Sequence, residues 1–109
     1  MKTEYCIYEK KDHVAYITFN RPESGNALHE PADQELYNVW NDFLSDSDLW
    51  VAILTGSGEK FFSTGHDLKA HNKTLSEDGN KSSPFGARGG FGGLAKLECW
   101  KPVIAAVNG

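Results

Sequence analysis

Trp50-Val51-Ala52-Ile53-Leu54-Thr55 is an apolar run that reads as a buried strand. It empties through the polar turn Gly56–Lys60 and the aromatic pair Phe61-Phe62 into Ser63-Thr64-Gly65-His66-Asp67-Leu68-Lys69. A strand that runs into a glycine turn and then a helix start leaves backbone N–H groups without strand partners. Those donors, with the positive end of the helix dipole behind them, suit a developing negative charge. The pattern is that of half an oxyanion hole. His66 and Asp67 tempt as general base or metal ligand, but no second His or carboxylate stands at a metal-binding interval and no metal site is expected. No Ser or Cys sits in a nucleophile elbow. The functional expectation therefore attaches to the amide of His66, because any side chain at that position presents the same N–H.

Upstream, Pro31 to Asp46 carries helix signals. Pro31 suits a first turn, and Ala32, Leu36, Val39, Trp40, Phe43 and Leu44 fall on one face, with Asp33, Glu35, Asn38 and Asp42 elsewhere on the wheel. Cys6–Lys10 and His13–Phe19 flank Lys11-Asp12 and read as a β-hairpin. Asn20–Asn26 is a loop by its Pro, Gly and Asn content. Strand, strand, helix, strand in this order predicts a mixed α/β domain.

Downstream, Leu68 to Lys73 has room for one or two helical turns. Leu75 to Gly93 holds six of the eleven glycines and is expected to be a flexible loop that orders over a ligand. Leu94, Leu97 and Trp100 predict a short helix over 94–100, broken by Lys101-Pro102, and Val103–Val107 is another apolar strand. Two phosphate motifs fail. Gly56-Ser57-Gly58-Glu59-Lys60-Phe61 lacks the third glycine of a dinucleotide fingerprint and the Lys-Ser/Thr of a P-loop. The Arg88-Gly89-Gly90 tract offers one isolated arginine.

With 39% hydrophobic and 12% aromatic residues the chain is a folding one, not a disordered one. Eleven basic against 15 acidic residues give a net charge of −4, which argues against a general nucleic-acid partner. No apolar run approaches the roughly 20 residues of a membrane span, and the N-terminus lacks a signal peptide's apolar core. Cys6 and Cys99, far apart and without metal spacing, point to reduced thiols and to the cytoplasm or an organelle matrix.

Three blocks together carry a resemblance. Asn20-Arg21-Pro22 with Asn26-Ala27-Leu28, then Phe62–Lys69, then Lys101-Pro102-Val103-Ile104-Ala105-Ala106-Val107-Asn108-Gly109, closely resemble the enoyl-CoA hydratase/isomerase (crotonase) family in order and spacing. The resemblance implies a crotonase (ClpP-like) α/β spiral of ββα units, of which residues 1–109 would be the N-terminal half, assembled as trimers or dimers of trimers. It implies a coenzyme A thioester as substrate, with no resident cofactor, and the backbone N–H of His66 as one oxyanion donor. Gly65, His66, Asp67, Leu68 and Lys69 correspond to the acyl-CoA site, and Asn26, Ala27 and Leu28 to the loop beside its pantetheine and adenine end. The glycine run before Lys101-Pro102 is faintly similar to the carnitinyl-CoA dehydratase branch. The family's second donor and acid/base groups would follow Gly109, so the 109 residues alone are expected to be inactive. The alternative is a non-catalytic acyl-CoA-binding or subunit-interaction module on the same half-fold.

Overall fold

The hairpin closes through two residues in left-handed conformation, Asp12 (φ 50°) and His13 (φ 69°), joining β1 (Cys6–Lys11) to β2 (Val14–Phe19). Positive φ at both central positions matches the right-handed twist of the strands. His13 is therefore a turn residue, not the first residue of the strand. Its ring stacks on Trp50 at 3.9 Å and its Nδ1 lies 2.7 Å from the Asp48 carbonyl, contacts that offset an unfavourable backbone. The computed structural model describes residues 1–69 and 89–109.

After the hairpin come a single 3-10 turn at Pro22–Ser24, α1 (Glu30–Ser45), β3 (Val51–Gly56), a second 3-10 turn at Phe91–Gly93 and β4 (Val103–Ala105). The sheet order is β1-β2-β3-β4, with β1 antiparallel to β2 and the β2–β3 and β3–β4 pairs parallel. Parallel neighbours need a crossover, and α1 is the crossover from β2 to β3. The α/β class expected from the sequence is the one observed.

Alternation along β2 sends Ala15, Ile17 and Phe19 to the face that α1 covers, where Leu36, Val39, Trp40 and Phe43 meet them fully buried. Removing a side chain such as Trp40 or Phe43 from this layer would cost about 3–5 kcal/mol. The other sheet face keeps Ile7, Tyr16 and Ile104 exposed.

The polar side of α1 also bonds to the sheet. The Glu35 carboxylate accepts from three backbone N–H groups, those of Glu4, Tyr5 and Cys6, at 2.8, 2.8 and 2.9 Å. Tyr8 Oη donates to Asp42 at 2.7 Å, and Lys10 Nζ reaches Asp42 and Asp46 at 2.8 and 2.9 Å. These contacts fix the outer strand β1 against the helix.

Five further expectations need correction. Trp50, read as the start of a buried strand, precedes β3 and is largely exposed, with its ring stacked on His13. The helix begins before Pro31, because His29 acts as its cap: Nδ1 accepts the Ala32 N–H at 3.3 Å. Burial, with Arg21 nearby, lowers the His29 pKa, consistent with a neutral ring whose Nδ1 is free to accept. Asp33 is not on the outer face of α1 but wholly buried, for a reason that emerges at the site. Residues 94–97 form turns and 98–100 no regular element, instead of a helix: Gly90, Gly92 and Gly93 run at φ 75°, 68° and 69°, and the Lys96 N–H donates back to the Gly89 carbonyl, so the helical bonds of Ala95 to Phe91 and Leu97 to Leu94 do not continue into a helix. Strand β4 stops at Ala105, although the Ala106 N–H still donates to Leu54.

Of the expected flexible loop, residues 75–88 lie outside the described residues, while 89–93 form a turn packed on α1. Leu68 and Lys69 open a helical turn, and the rest of the expected 68–73 helix lies outside the described residues. Among the described residues no helix is long and apolar enough to cross a membrane, and no group of three metal-ligating side chains occurs.

Candidate functional site

The site is built where three loops at the ends of β2 and β3 meet. Asn26 is at their centre, 1% exposed and in left-handed conformation (φ 55°), which Asn tolerates better than most residues. Its Oδ1 accepts the Arg21 N–H at 2.9 Å, and its Nδ2 donates to the Ser57 and Phe61 carbonyls at 3.0 and 2.8 Å. One amide thus ties the loop after β2 to the loop after β3. From the other end of the described chain, Asn108 Oδ1 accepts from the Gly56 N–H and Thr55 Oγ1 at 3.1 and 3.2 Å.

Backbone pairing then sets Gly65-His66-Asp67 against Asn26-Ala27-Leu28. The Thr64 N–H donates to Gly25, the Leu28 N–H to Gly65, and the Asp67 N–H to Leu28, making a parallel bridge between Leu28 and His66. The bridge takes the carbonyl of Gly65 and the N–H of Asp67. Groups alternate along an extended strand, so the His66 N–H lies on the edge away from Leu28. Gly65 has φ +99° with nothing within 4 Å of where a Cβ would be, so its requirement is conformational and not one of space. Ser63 supports this turn from both sides: Oγ donates to the Asn26 carbonyl at 2.9 Å and accepts the Gly65 N–H at 3.1 Å.

A guanidinium locks the same corner. Arg21 Nη1 is 3.0 Å from Asp67 Oδ2 and donates to the Ala27 carbonyl at 2.6 Å, with both ionic side chains only 14% exposed. Breaking one partner of a screened pair like this is more costly than breaking a surface one.

Each residue of the Leu28–His66 pairing lines a different hollow. One is a polar cleft of about 440 Å³ lined in part by Ala27, Thr64, His66, Asp67, Leu68 and Lys69. The other is an apolar cavity of about 450 Å³ whose walls include Phe19, Leu28, Trp40, Leu54, Phe62 and Phe91. Of the seven residues singled out from the sequence, Ala27, His66, Asp67, Leu68 and Lys69 come together in the polar cleft. Leu28 is 1% exposed and faces the apolar cavity, and Gly65 shapes the turn between them. Arg21 stood in the quoted blocks without an assigned task, and Asn26 only as part of the loop beside the pantetheine and adenine end. Asp33 and Trp40, which hold the cavity's Phe91–Gly93 wall, carried no sequence signal beyond their places on the wheel.

The described architecture has known counterparts. A model of the enoyl-CoA hydratase/isomerase family matches residues 9–109. The (E)-benzylidenesuccinyl-CoA hydratase of Thauera aromatica is 41% identical over 101 residues, covering 93% of this chain and 38% of the relative. The carnitinyl-CoA dehydratase of Citrobacter koseri is 47% identical over 108 residues, covering 98% and 39%. Among solved structures, a carnitinyl-CoA dehydratase from Mycobacterium avium superposes with a TM-score of 0.81 at 33% identity, over 98% of this chain and 40% of that one. The enoyl-CoA hydratase of Mycobacterium tuberculosis does so with a TM-score of 0.80 at 32% identity, over 96% and 38%. The chain thus spans about two fifths of the length of these relatives.

Proposed function

The chain belongs to the enoyl-CoA hydratase/isomerase family, and from that premise we propose that it supplies the thioester seat of an acyl-CoA hydratase or isomerase. The observation that carries the reading is the Leu28–His66 bridge, which points the His66 N–H away from Leu28 and pairs a residue of the polar cleft with a residue of the apolar cavity. A coenzyme A thioester has that same division: a long polar carrier, a carbonyl, and an apolar acyl chain. In this reading Ala27, Asp67, Leu68 and Lys69 flank the carrier and Leu28 faces the acyl chain. The His66 amide donates to the carbonyl oxygen, and Gly65 supplies the φ that aims it.

Adding or removing a proton or water next to a thioester passes through an enolate, whose charge collects on that oxygen. A donor fixed in advance costs no reorganisation when the charge appears, and one such donor is worth roughly 3–4 kcal/mol, or 10²–10³ in rate. Arg21, Ser63 and Asn26 are what fix it here. The same device serves hydration and double-bond migration alike, and the reading assigns no general acid or base to these 109 residues. It carries with it a thioester that is substrate and not cofactor, and a trimer or dimer of trimers as the working assembly.

The test is calorimetric binding and turnover of crotonyl-CoA by the complete gene product that carries this chain, with Gly65→Val alongside. Binding and hydration in the parent, with turnover lost in Gly65→Val, supports the reading. A protein that binds no acyl-CoA thioester contradicts it.

A further inference from the structure

The Phe91–Gly93 turn is held on α1 at both polar groups of a single residue. The Gly92 N–H donates to Asp33 Oδ1 at 2.8 Å, and Trp40 Nε1 donates to the Gly92 carbonyl at 3.0 Å. Asp33 and Trp40 are seven residues apart, two helical turns, and so share one face of α1. Between them the turn presses on the helix backbone: a Cβ on Gly93 would come within 2.2 Å of the Tyr37 nitrogen and 2.7 Å of the Leu36 carbonyl carbon. Only glycine allows that approach, and Gly92 and Gly93 also need their left-handed φ.

This turn is a wall of the apolar cavity, which Phe91, Gly92, Leu94, Ala95 and the Trp40 ring help line. It also reaches the oxyanion loop, since the Phe91 and His66 rings meet edge to face with centroids 6.5 Å apart. Asp33 is wholly buried in a helix face otherwise made of hydrocarbon, and among the described residues its Oδ2 has no hydrogen-bond partner. A carboxylate is a costly way to fill such a position. Packing alone would have been served better by Leu or Met.

We propose that Asp33 is a positioning residue that, by capturing the Gly92 N–H, sets how closely the Phe91–Gly93 wall stands to α1 and thereby how long an acyl chain the cavity accepts. The inference rests on the cavity being the acyl seat. Losing the acceptor at position 33 frees the turn at one of its two bonds, and the wall relaxes away from the helix. Longer acyl chains then gain relative to short ones. Asparagine keeps an acceptor for Gly92, and Trp40→Phe removes the other bond while keeping an aromatic wall.

The experiment measures kcat and KM for straight-chain enoyl-CoA thioesters from crotonyl to dodecenoyl, on the complete gene product and on Asp33→Ala, Asp33→Asn and Trp40→Phe. Asp33→Ala should raise the long-to-short ratio of kcat/KM about tenfold or more, a change of the size one or two methylenes make in an apolar pocket. The change should lie mainly in KM, with kcat for crotonyl-CoA held within about twofold, since the His66 amide is untouched. Asp33→Asn should restore the parent profile, and Trp40→Phe should move it in the same direction as Asp33→Ala. An unchanged profile in Asp33→Ala, a uniform loss at every chain length, or an asparagine variant that behaves like alanine overturns the inference. The Gly92 amide proton in an NMR spectrum separates this from the reading beneath it. If the parent binds no thioester, the proposed function fails; if the Gly92 resonance and its exchange rate are the same in parent and Asp33→Ala, the clamp itself is refuted.

Discussion

Asn26→Asp exchanges one NH₂ for one oxygen at the most connected side chain of the site, and its cost follows from the bonds that this group makes. Aspartate preserves the shape and the acceptor for the Arg21 N–H. It loses both Nδ2 donations, to Ser57 at 3.0 Å and to Phe61 at 2.8 Å, and turns an oxygen toward two carbonyl oxygens at a position 1% exposed. Two neutral hydrogen bonds are worth about 1 kcal/mol each, and a buried acceptor left without a donor costs about 1–3 kcal/mol. With partial relaxation of the loops, the sum is about 3–5 kcal/mol at neutral pH, a large share of the 5–15 kcal/mol that typically holds a domain. Protonating the new carboxyl restores one donor. Its pKa in the folded state is therefore raised, and the deficit should shrink below the carboxyl's unfolded pKa and grow as pH rises through its folded one. Urea unfolding at acid and neutral pH, with the transition slope compared to confirm that only stability has changed, reads both effects. An Asn26→Asp protein within about 1 kcal/mol of the parent at neutral pH, or with a deficit that grows on acidification, refutes the role given to this amide.

Other consequences are equally open to measurement. Lys101 Nζ donates at 2.7 Å to each of the Phe43, Asp46 and Leu49 carbonyls and lies 5.0 Å from the Phe43 ring, capping the C-terminal end of α1. Lys101→Met keeps the stem and loses these, which should cost roughly 2–4 kcal/mol; hydrogen exchange at the last turn of α1 no faster than in the parent would disprove it. Burial, only partly opposed by the Gly92 N–H, pushes the Asp33 carboxyl from its ordinary 3.8 to about 6. A folded pKa above the unfolded one means that this group costs nothing below about pH 4 and progressively lowers stability up to about pH 6, on the order of 2–3 kcal/mol in all. Asp33→Asn should flatten the stability-against-pH curve across that window, and an unaltered slope would show that the carboxyl titrates normally. Gly93→Ala should destabilise by about 3 kcal/mol from overlap with the Tyr37 nitrogen plus left-handed strain, so an unshifted melting temperature would contradict the packed turn.

Local pattern was enough for the α/β frame. Alternation in Val14–Phe19 and the three- and four-residue steps of Leu36, Val39, Trp40 and Phe43 are imposed by the buried face itself, so the elements and their core residues could be read in advance. Asp33 could not, because a helical wheel sorts by polarity. The partner that makes its burial tolerable, Gly92, is 59 residues away. The spacing of Leu94, Leu97 and Trp100 suggested a helix for a related reason: periodicity is blind to the left-handed glycines just upstream, which bend the chain back so that Lys96 bonds to Gly89. At the site, the positive φ of Gly65 and the direction of the His66 N–H were legible, because a strand, a glycine and a helix start define where N–H groups point. That Arg21 and Asn26 hold this turn in place was not, since their partners Asp67, Ser57 and Phe61 come from other loops.

The central claim is that the amide of His66, not its imidazole, acts on the thioester. It is tested most directly by replacing the peptide N–H of residue 66 with an ester oxygen by semisynthesis in the complete protein, with His66→Ala as the companion variant, and measuring kcat for crotonyl-CoA. The account predicts a loss of about 10²–10³ for the ester and no more than a few-fold for His66→Ala. An ester protein that turns over at the parent rate, or a His66→Ala protein that is folded, binds substrate and is inactive, would contradict it.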